Sequence, residues 1–141
     1  MNINCRGMVL LALLHGDYAK AMLESAQLIA GEQDHICTFS FYLGESVDQL
    51  REGISEAVEK AQKKGEVLVL TDMLSGSPFN AAVSLMQLYS FNHITGINLP
   101  VLLEILMSRD SCDIEELCEK VLEIGRDTII DVNKLYKEIC L

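Results

Sequence analysis

The sequence predicts an α/β protein built on an open, mostly parallel sheet with helices on both faces. Short apolar runs of strand length alternate along the chain with segments whose apolar residues recur at helical spacing. This β-α-β-α order implies parallel strands joined by right-handed helical crossovers. The chain has 141 residues and no Pro-, Gly- or Ser-rich linker, so residues 1–141 are expected to form one domain.

The first half of the chain predicts three strands and two helices. The strands are expected at 7–14, 35–42 and 66–71, and the first helix at 17–30. The second helix begins after Ser46, an N-cap with Gln49 as its capping-box partner, and Gly65 ends it. These alternating elements account for the predicted fold class.

The second half is less regular. A helix from Pro78 to about 88, a weak strand at 93–98, a helix opening at Pro100 and a helix at 113–125 are expected. The tail allows two interpretations. Residues 127–132 are β-branched enough for a strand, whereas 134–140 also fit a helix.

Composition excludes several classes of function. Acidic residues outnumber basic ones 21 to 11, and a formal charge of −10 repels nucleic acid and favours a basic protein partner. The longest apolar run, 8–14, is far shorter than the roughly 20 residues that span a bilayer and has no signal-peptide context, so a cytoplasmic protein is expected. Five cysteines without C-x-x-C indicate reduced, packed thiols rather than disulfides or zinc, and no metal or cofactor is expected.

Polar residues follow two of the predicted strands. His15 and Gly16 come after strand one, and Asp72 comes directly after strand three. Ligands in open parallel sheets bind beyond the carboxyl ends of strands, where the winding direction switches. If strands one and three are neighbours, His15 and Asp72 emerge side by side.

An imidazole beside a carboxylate is a usable nucleophile. Asp72 can accept a hydrogen bond from Nδ1 of His15, which leaves the Nε2 lone pair facing outward. The turn through Gly76 then enters a helix whose first amides and dipole favour a phosphate, and Ser77 adds a hydroxyl donor. Together these groups predict a phosphate cradle opposite a nucleophile.

Each of these residues also has a structural interpretation. A lone histidine at a strand end is more often structural, Asp72 could bind loop amides, and Ser77-Pro78 is an ordinary N-cap and N1 pair. Only their convergence at the predicted switch point favours a site.

Other polar residues carry weaker signals. His35 and His93 are expected at strand ends on the surface, and Asp110, Asp113, Glu115 and Glu116 are expected at a solvated helix start. No nucleotide-binding glycine motif occurs, which argues against direct use of ATP or a dinucleotide.

A series of motifs gives the chain a family resemblance. The motifs are L-H-G at 14–16, A-G-E-Q at 30–33, L-G-E-S at 43–46, L-x-D-x-x-x-G-S-P-F-N-A-A at 70–82, G-I-N-L-P-V-L-L-E at 96–104 and M-x-R-D at 107–110. In content, order and spacing the chain resembles the IIA component of the mannose-type (mannose/fructose/sorbose) bacterial phosphotransferase system, and the resemblance covers 8–125.

The resemblance implies a fold and a site. It implies a parallel sheet of order 2-1-3-4 and a homodimer in which an antiparallel C-terminal strand, here 128–132, pairs with the other subunit. His15 matches the histidine that is phosphorylated on Nε2, Asp72 the carboxylate that orients it, and Ser77, next to Gly76, a ligand of the phosphoryl oxygens. Leu14 departs from the family, which usually has Ser or Thr before the histidine.

The resemblance also implies partners. Phospho-HPr would donate the phosphoryl group, and a IIB component, expected as a separate polypeptide, would accept it for sugar uptake through membrane IIC and IID components. Three alternatives remain open from the sequence: the IIA-like subunit of a dihydroxyacetone kinase, a regulatory module on the same fold, and a small hydrolase that uses His15 as a base.

Overall fold

The computed structural model describes residues 7–140 and confirms the predicted α/β architecture. Its four parallel strands are β1 (Val9–His15), β2 (Ile36–Phe41), β3 (Val67–Thr71) and β4 (Asn92–Thr95). They form one sheet in the order β2-β1-β3-β4, which is the order that the family resemblance implied. All three strand pairings are parallel, so the carboxyl ends of the four strands meet at one edge.

Six helices accompany the strands in the described part of the chain. They are α1 (Tyr18–Ala30), α2 (Val47–Gln62), α3 (Ser77–Leu85), α4 (Leu99–Ser108), α5 (Ile114–Gly125) and α6 (Val132–Ile139). The predicted helix starts agree closely with these bounds, but α3 ends three residues earlier than expected. None of the helices within residues 7–140 is long and apolar enough to cross a bilayer.

Side-chain caps define the start of four helices. The side chains of Ser46, Asn98, Asp113 and Asp131 each accept a hydrogen bond from the backbone N–H three residues later. Ser46 therefore caps α2 as predicted, and Asp113 caps the helix that the acidic stretch was expected to begin. The other two helices, α1 and α3, have no side-chain cap.

The alternation of side chains along β1 supplies two separate cores. Leu10, Ala12 and Leu14 pack with α1, α4 and α5, while Leu11 and Leu13 pack with α2 and α3. Helices therefore cover both faces of the sheet, as predicted. Leu14, the departure from the family pattern, is fully buried in the first of these cores, so its side chain acts in packing.

The buried Arg109 fixes the chain at the amino ends of the strands. Its guanidinium donates hydrogen bonds to the carbonyl oxygens of His35 and Asp34, at 3.3 and 2.5 Å, and to Oε1 of Gln33 at 3.2 Å. This arginine of the M-x-R-D motif thereby ties the end of α4 to the connection between α1 and β2. His35 itself is exposed, as predicted.

The C-terminal segment resolves the ambiguity of the tail in favour of a helix. Residues 128–131 form no strand, and α6 follows them with every residue exposed. A strand needs a neighbour for its backbone groups, and within residues 7–140 this segment has none. Pairing of 128–132 with a second subunit stays a prediction.

The cysteines match the prediction only in part. Cys112 and Cys118 pack against the core, and burial is the main cause that raises the pKa of each thiol. Cys37 and Cys140 are exposed free thiols. Cys5 lies outside the described residues.

The prediction that His93 ends a strand at the surface is wrong. It is the second residue of β4, where its Nε2 lies 2.8 Å from Oγ1 of the buried Thr71. The imidazole also packs against the ring of Phe79, with 5.3 Å between ring centroids. The strand begins one residue earlier than expected, which places His93 inside the layer between the sheet and α3.

Burial lowers the pKa of His93 below its ordinary value of 6.5. The unfolded chain therefore takes up this proton at a higher pH than the folded protein does. The stabilisation from the neutral ring is complete above about pH 6.5 and is lost as the pH falls toward the folded pKa. We expect the free energy of unfolding, measured in urea, to fall more between about pH 7.5 and about pH 5.5 for the wild type than for His93→Gln. Equal losses in the two proteins would contradict this assignment.

Candidate functional site

The predicted pair of residues meets at the carboxyl edge of the sheet. His15 is the last residue of β1, and Asp72 directly follows the adjacent strand β3. The backbone N–H of His15 donates to Oδ2 of Asp72 at 2.9 Å, and Nδ1 of the same residue lies 2.8 Å from the same oxygen. One carboxylate oxygen thus fixes both the backbone and the ring of His15.

Burial differs between the two partners. The side chain of His15 is 42% exposed, whereas that of Asp72 is 10% exposed. With an ionised Asp72, the Nδ1 position holds the proton and Nε2 presents a lone pair. The second carboxylate oxygen, Oδ1, is buried and has no hydrogen-bond partner within residues 7–140. The carboxylate is therefore committed to His15 rather than to the loop amides.

The Cε1–Nε2 side of the ring lies against a glycine. A Cβ atom added to Gly76 would stand 2.8 Å from Cε1 and 3.5 Å from Nε2 of His15, and 3.2 Å from Cγ of Met73. Contacts below 3.0 Å do not occur for real Cβ atoms, so any side chain here would displace the imidazole. Ser75, with φ of 64°, turns the chain into this approach. Close contact with the ring is thus a specific reason for glycine at this position.

The helix that starts beside the ring leaves amides without helical partners. Gly76, rather than Ser77, is the N-cap of α3, and Ser77 is its first residue. The first bond within this helix runs from the N–H of Asn80 to the carbonyl of Gly76 at 2.9 Å. The N–H groups of Ser77 and Phe79 therefore lie outside the helical ladder, and Pro78 has none. This end also carries the positive pole of the helix dipole.

The opposite side of His15 faces strand β2. The ring of Phe41 meets the imidazole edge-on, with 6.3 Å between centroids and 75° between planes. The N–H of Gly16 donates to the carbonyl of Phe41 at 2.8 Å, and Gly16 adopts a φ of 54°. Sequence reasoning missed Phe41, because its contact depends on the β1–β2 register, in which His15 lies opposite Phe41.

The structure thus groups some of the predicted residues and separates others. His15, Asp72 and Gly76 are in direct contact, and Ser77 is the next residue of the same turn. His35 precedes β2 at the other end of the sheet, and His93 contacts Thr71 and Phe79 instead. Within residues 7–140, no three His, Cys, Asp or Glu side chains are placed to hold a metal ion.

The fold and site define a class of protein. A half-exposed imidazole is oriented by a carboxylate at the switch point of a parallel sheet and faces a helix N-terminus. A family model described as the PTS system fructose IIA component, of the mannose type, matches residues 8–122. The chain belongs to this family of phosphotransferase system (PTS) components, which are phosphotransfer proteins.

Curated relatives agree with this family. The chain is 35% identical over 115 residues to the PTS system fructose-specific EIIA component of Bacillus subtilis, covering 81% of this chain and 79% of that protein. It is 34% identical over 117 residues to the PTS system mannose-specific EIIAB component of Escherichia coli, covering 82% of this chain but 36% of that protein. These names do not favour the dihydroxyacetone kinase alternative.

A solved structure shows the same architecture. The crystal structure of phosphotransferase system component EIIA from Streptococcus agalactiae superposes with a TM-score of 0.82 at 30% identity, covering 90% of this chain and 98% of that chain. A mannose/sorbose-specific IIA subunit from Enterococcus faecalis, at 24% identity and a TM-score of 0.79, supports the fold alone.

We expect Gly76→Ala to displace the imidazole of His15 while leaving the fold intact. The added Cβ occupies space that the ring now fills, so the ring must rotate away from Asp72. Nitrogen-15 chemical shifts of the His15 ring, recorded by NMR, would report loss of the Nδ1-protonated tautomer.

Gly53→Ala is the matched control, because its added Cβ would meet nothing closer than 3.9 Å, at Cε1 of Phe39. That variant should leave the His15 shifts unchanged. Identical His15 shifts in Gly76→Ala and the wild type would show that the ring does not depend on this glycine.

Proposed function

We propose that the protein is a cytoplasmic phosphoryl carrier of a sugar phosphotransferase system. Nε2 of His15 accepts the phosphoryl group from phospho-HPr and passes it to a IIB component, which serves sugar uptake through membrane partners. The bond between Nδ1 of His15 and Asp72 carries this proposal, because it leaves Nε2 as the free nucleophilic nitrogen.

The transfer needs positioning and charge stabilisation more than covalent help from the protein. The Nε2 lone pair attacks phosphorus in line, a new P–N bond forms, and the P–N bond to the donor histidine breaks. Asp72, which already contacts Nδ1, stabilises the ring when phosphorylation makes it cationic. Transfer to IIB repeats the exchange with His15 as the leaving group.

The first turn of α3 is suited to the phosphoryl oxygens. The amides of Ser77 and Phe79 and the hydroxyl of Ser77 are hydrogen-bond donors at a positive helix end. Glycine at position 76 lets this turn approach the ring closely. Ser77 and Gly76 are therefore assigned to phosphate binding, and His15 and Asp72 to the transfer itself.

The surface of the protein fits a carrier that acts between proteins. His15 is exposed enough to reach a partner's reactive group, while its orienting carboxylate is shielded from water. The formal charge of −10 attracts partners with a basic rim around their own sites, and salt weakens that attraction.

We also propose that the protein is a homodimer. Ile129, Val132, Tyr136 and Ile139 are each more than half exposed, so the C-terminal segment presents an apolar row without a partner in the described chain. A second copy of the chain would cover this row and supply a neighbour for the residues at 128–132.

Phosphotransfer from labelled phosphoenolpyruvate, through the general PTS enzyme and HPr, tests the carrier function. We expect acid-labile, base-stable label on the wild type and none on His15→Ala, because that variant lacks the accepting nitrogen. Subsequent addition of a IIB component should remove the label.

His35→Asn is the matched control, since it removes an exposed histidine and keeps a residue that tolerates the φ of 56° at this position. It should be labelled like the wild type. An unlabelled wild type, with HPr itself charged, would contradict the relay and favour a regulatory module. Ester hydrolysis without HPr would favour the hydrolase alternative.

Light scattering coupled to size exclusion tests the homodimer. We expect twice the chain mass of 15.7 kDa for the wild type, and dissociation when Ile129 and Ile139 are both changed to Asp, because buried charges oppose association. Leu28→Asp changes an equally exposed leucine on α1 and is expected to stay dimeric. A wild type of single-chain mass would refute the dimer.

A further inference from the structure

A tyrosine–aspartate hydrogen bond lies beside the proposed site. The hydroxyl of Tyr42 donates to Oδ1 of Asp17. Asp17 follows His15 by two residues, and Tyr42 follows Phe41, whose ring meets the imidazole. The bond therefore joins the ends of β1 and β2 at the same edge of the sheet at which His15 is exposed.

Asp17 is held in this bond instead of capping its helix. It occupies the N-cap position of α1, where an aspartate usually accepts a hydrogen bond from the N2 or N3 amide. Its side chain makes no such bond, unlike the capping side chains of Asp113 and Asp131. The carboxylate instead accepts from Tyr42, so the arrangement gives up a stabilising cap.

The Tyr42 hydroxyl stays protonated and therefore remains a hydrogen-bond donor to Asp17. The hydrogen bond that the hydroxyl donates to Asp17 is the main cause that raises the pKa of this phenol above its ordinary value of 10.0, so the hydroxyl keeps its proton at neutral pH. The backbone N–H of Tyr42 donates to Oε2 of Glu45 at 2.7 Å, which holds the loop that carries the ring.

A free carboxylate at this position would oppose the reaction. Asp17 is two residues from His15 in the chain, so their Cα atoms are at most about 7 Å apart. A phosphoryl donor brings negative charge to His15, and a like charge within a Debye length of about 8–10 Å raises the energy of its approach. A phenol that donates to the carboxylate disperses that charge and fixes its direction. The repulsion is felt only by a charged reagent, which gives the effect a specific signature.

We propose that Tyr42 is a positioning residue that holds the Asp17 carboxylate and masks its charge from the phosphoryl group delivered to His15. This deepens the proposed function and rests on His15 as the phosphoryl acceptor. Tyr42 acts through Asp17 and not by contact with the phosphoryl group.

Two small reagents separate masking from a merely structural role. Phosphoramidate is anionic. Nε2 attacks its phosphorus, a P–N bond to the ring forms, and the P–N bond to the protonated amino group breaks, so that neutral ammonia leaves. Diethyl pyrocarbonate is neutral and acylates the same nitrogen. Peptide mapping by mass spectrometry gives each rate at His15, with the exposed His35 as an internal reference in the same sample.

We expect Tyr42→Phe to slow phosphorylation of His15 by phosphoramidate roughly twofold to threefold, because the neutral phenol screens part of the Asp17 charge and does not cancel it. Acylation of His15 by diethyl pyrocarbonate should keep its wild-type rate. The double variant Tyr42→Phe/Asp17→Asn should react with phosphoramidate at least as fast as the wild type, because the carboxylate charge that Tyr42 screens is gone.

Tyr89→Phe is the matched control. It removes another phenol that donates to a carboxylate, Oε1 of Glu59, at 2.6 Å. Tyr89 follows the C-terminal end of α3, whereas Gly76 and the site lie at its N-terminal end. Both rates should equal those of the wild type.

Three outcomes would overturn the inference: an unchanged phosphoramidate rate in Tyr42→Phe, equal slowing with both reagents, or no rescue in the double variant. The reagent series decides this independently of protein partners. A wild type that phosphoramidate phosphorylates but phospho-HPr does not would refute the proposed relay alone.

Discussion

The structure depends on one carboxylate oxygen that joins the ends of two strands. Oδ2 of Asp72 lies within 2.9 Å of both the backbone nitrogen and Nδ1 of His15, so the end of β3 fixes the end of β1 and the direction of its last side chain. The bond is shielded because the carboxylate is nearly buried. It gives the carboxyl edge of the sheet an imidazole whose orientation is fixed by the fold.

The remainder of the fold supports that bond. β1 runs between β2 and β3 with six of its seven residues buried, so His15 stands at the end of a rigid central strand. Alternation along β1 places His15 on the side that packs against α2 and α3. Gly76 leaves room for the ring at the start of α3, and Phe41 contacts it on the side of β2.

Much of this arrangement was predictable because its signals are local. Apolar runs of strand length located all four strands within a few residues, and Ser46 marked the start of α2 through a cap that involves only neighbouring residues. His15 and Asp72 were identifiable because each directly follows an apolar run, and parallel strands bring such positions to one edge. The prediction for His93 was wrong because β4 has only four residues, too few for a clear alternation of apolar side chains. The C-terminal segment stayed open because it has no neighbouring strand within residues 7–140.

The sequence by itself determined the element order, the two helix-covered faces and the pairing of His15 with Asp72 at the ends of two strands. It could do so because periodicity, helix caps and strand ends depend on residues close together in the chain. The tertiary structure alone decided which residues surround the imidazole. Three contacts show this. Phe41 meets the His15 ring edge-on, a Cβ atom at Gly76 would stand 2.8 Å from Cε1 of that ring, and Asp17 accepts from Tyr42 instead of capping α1. The residues in each contact are 25 to 61 positions apart in the chain. Such contacts depend on strand register and loop approach, which are fixed only when the whole sheet packs.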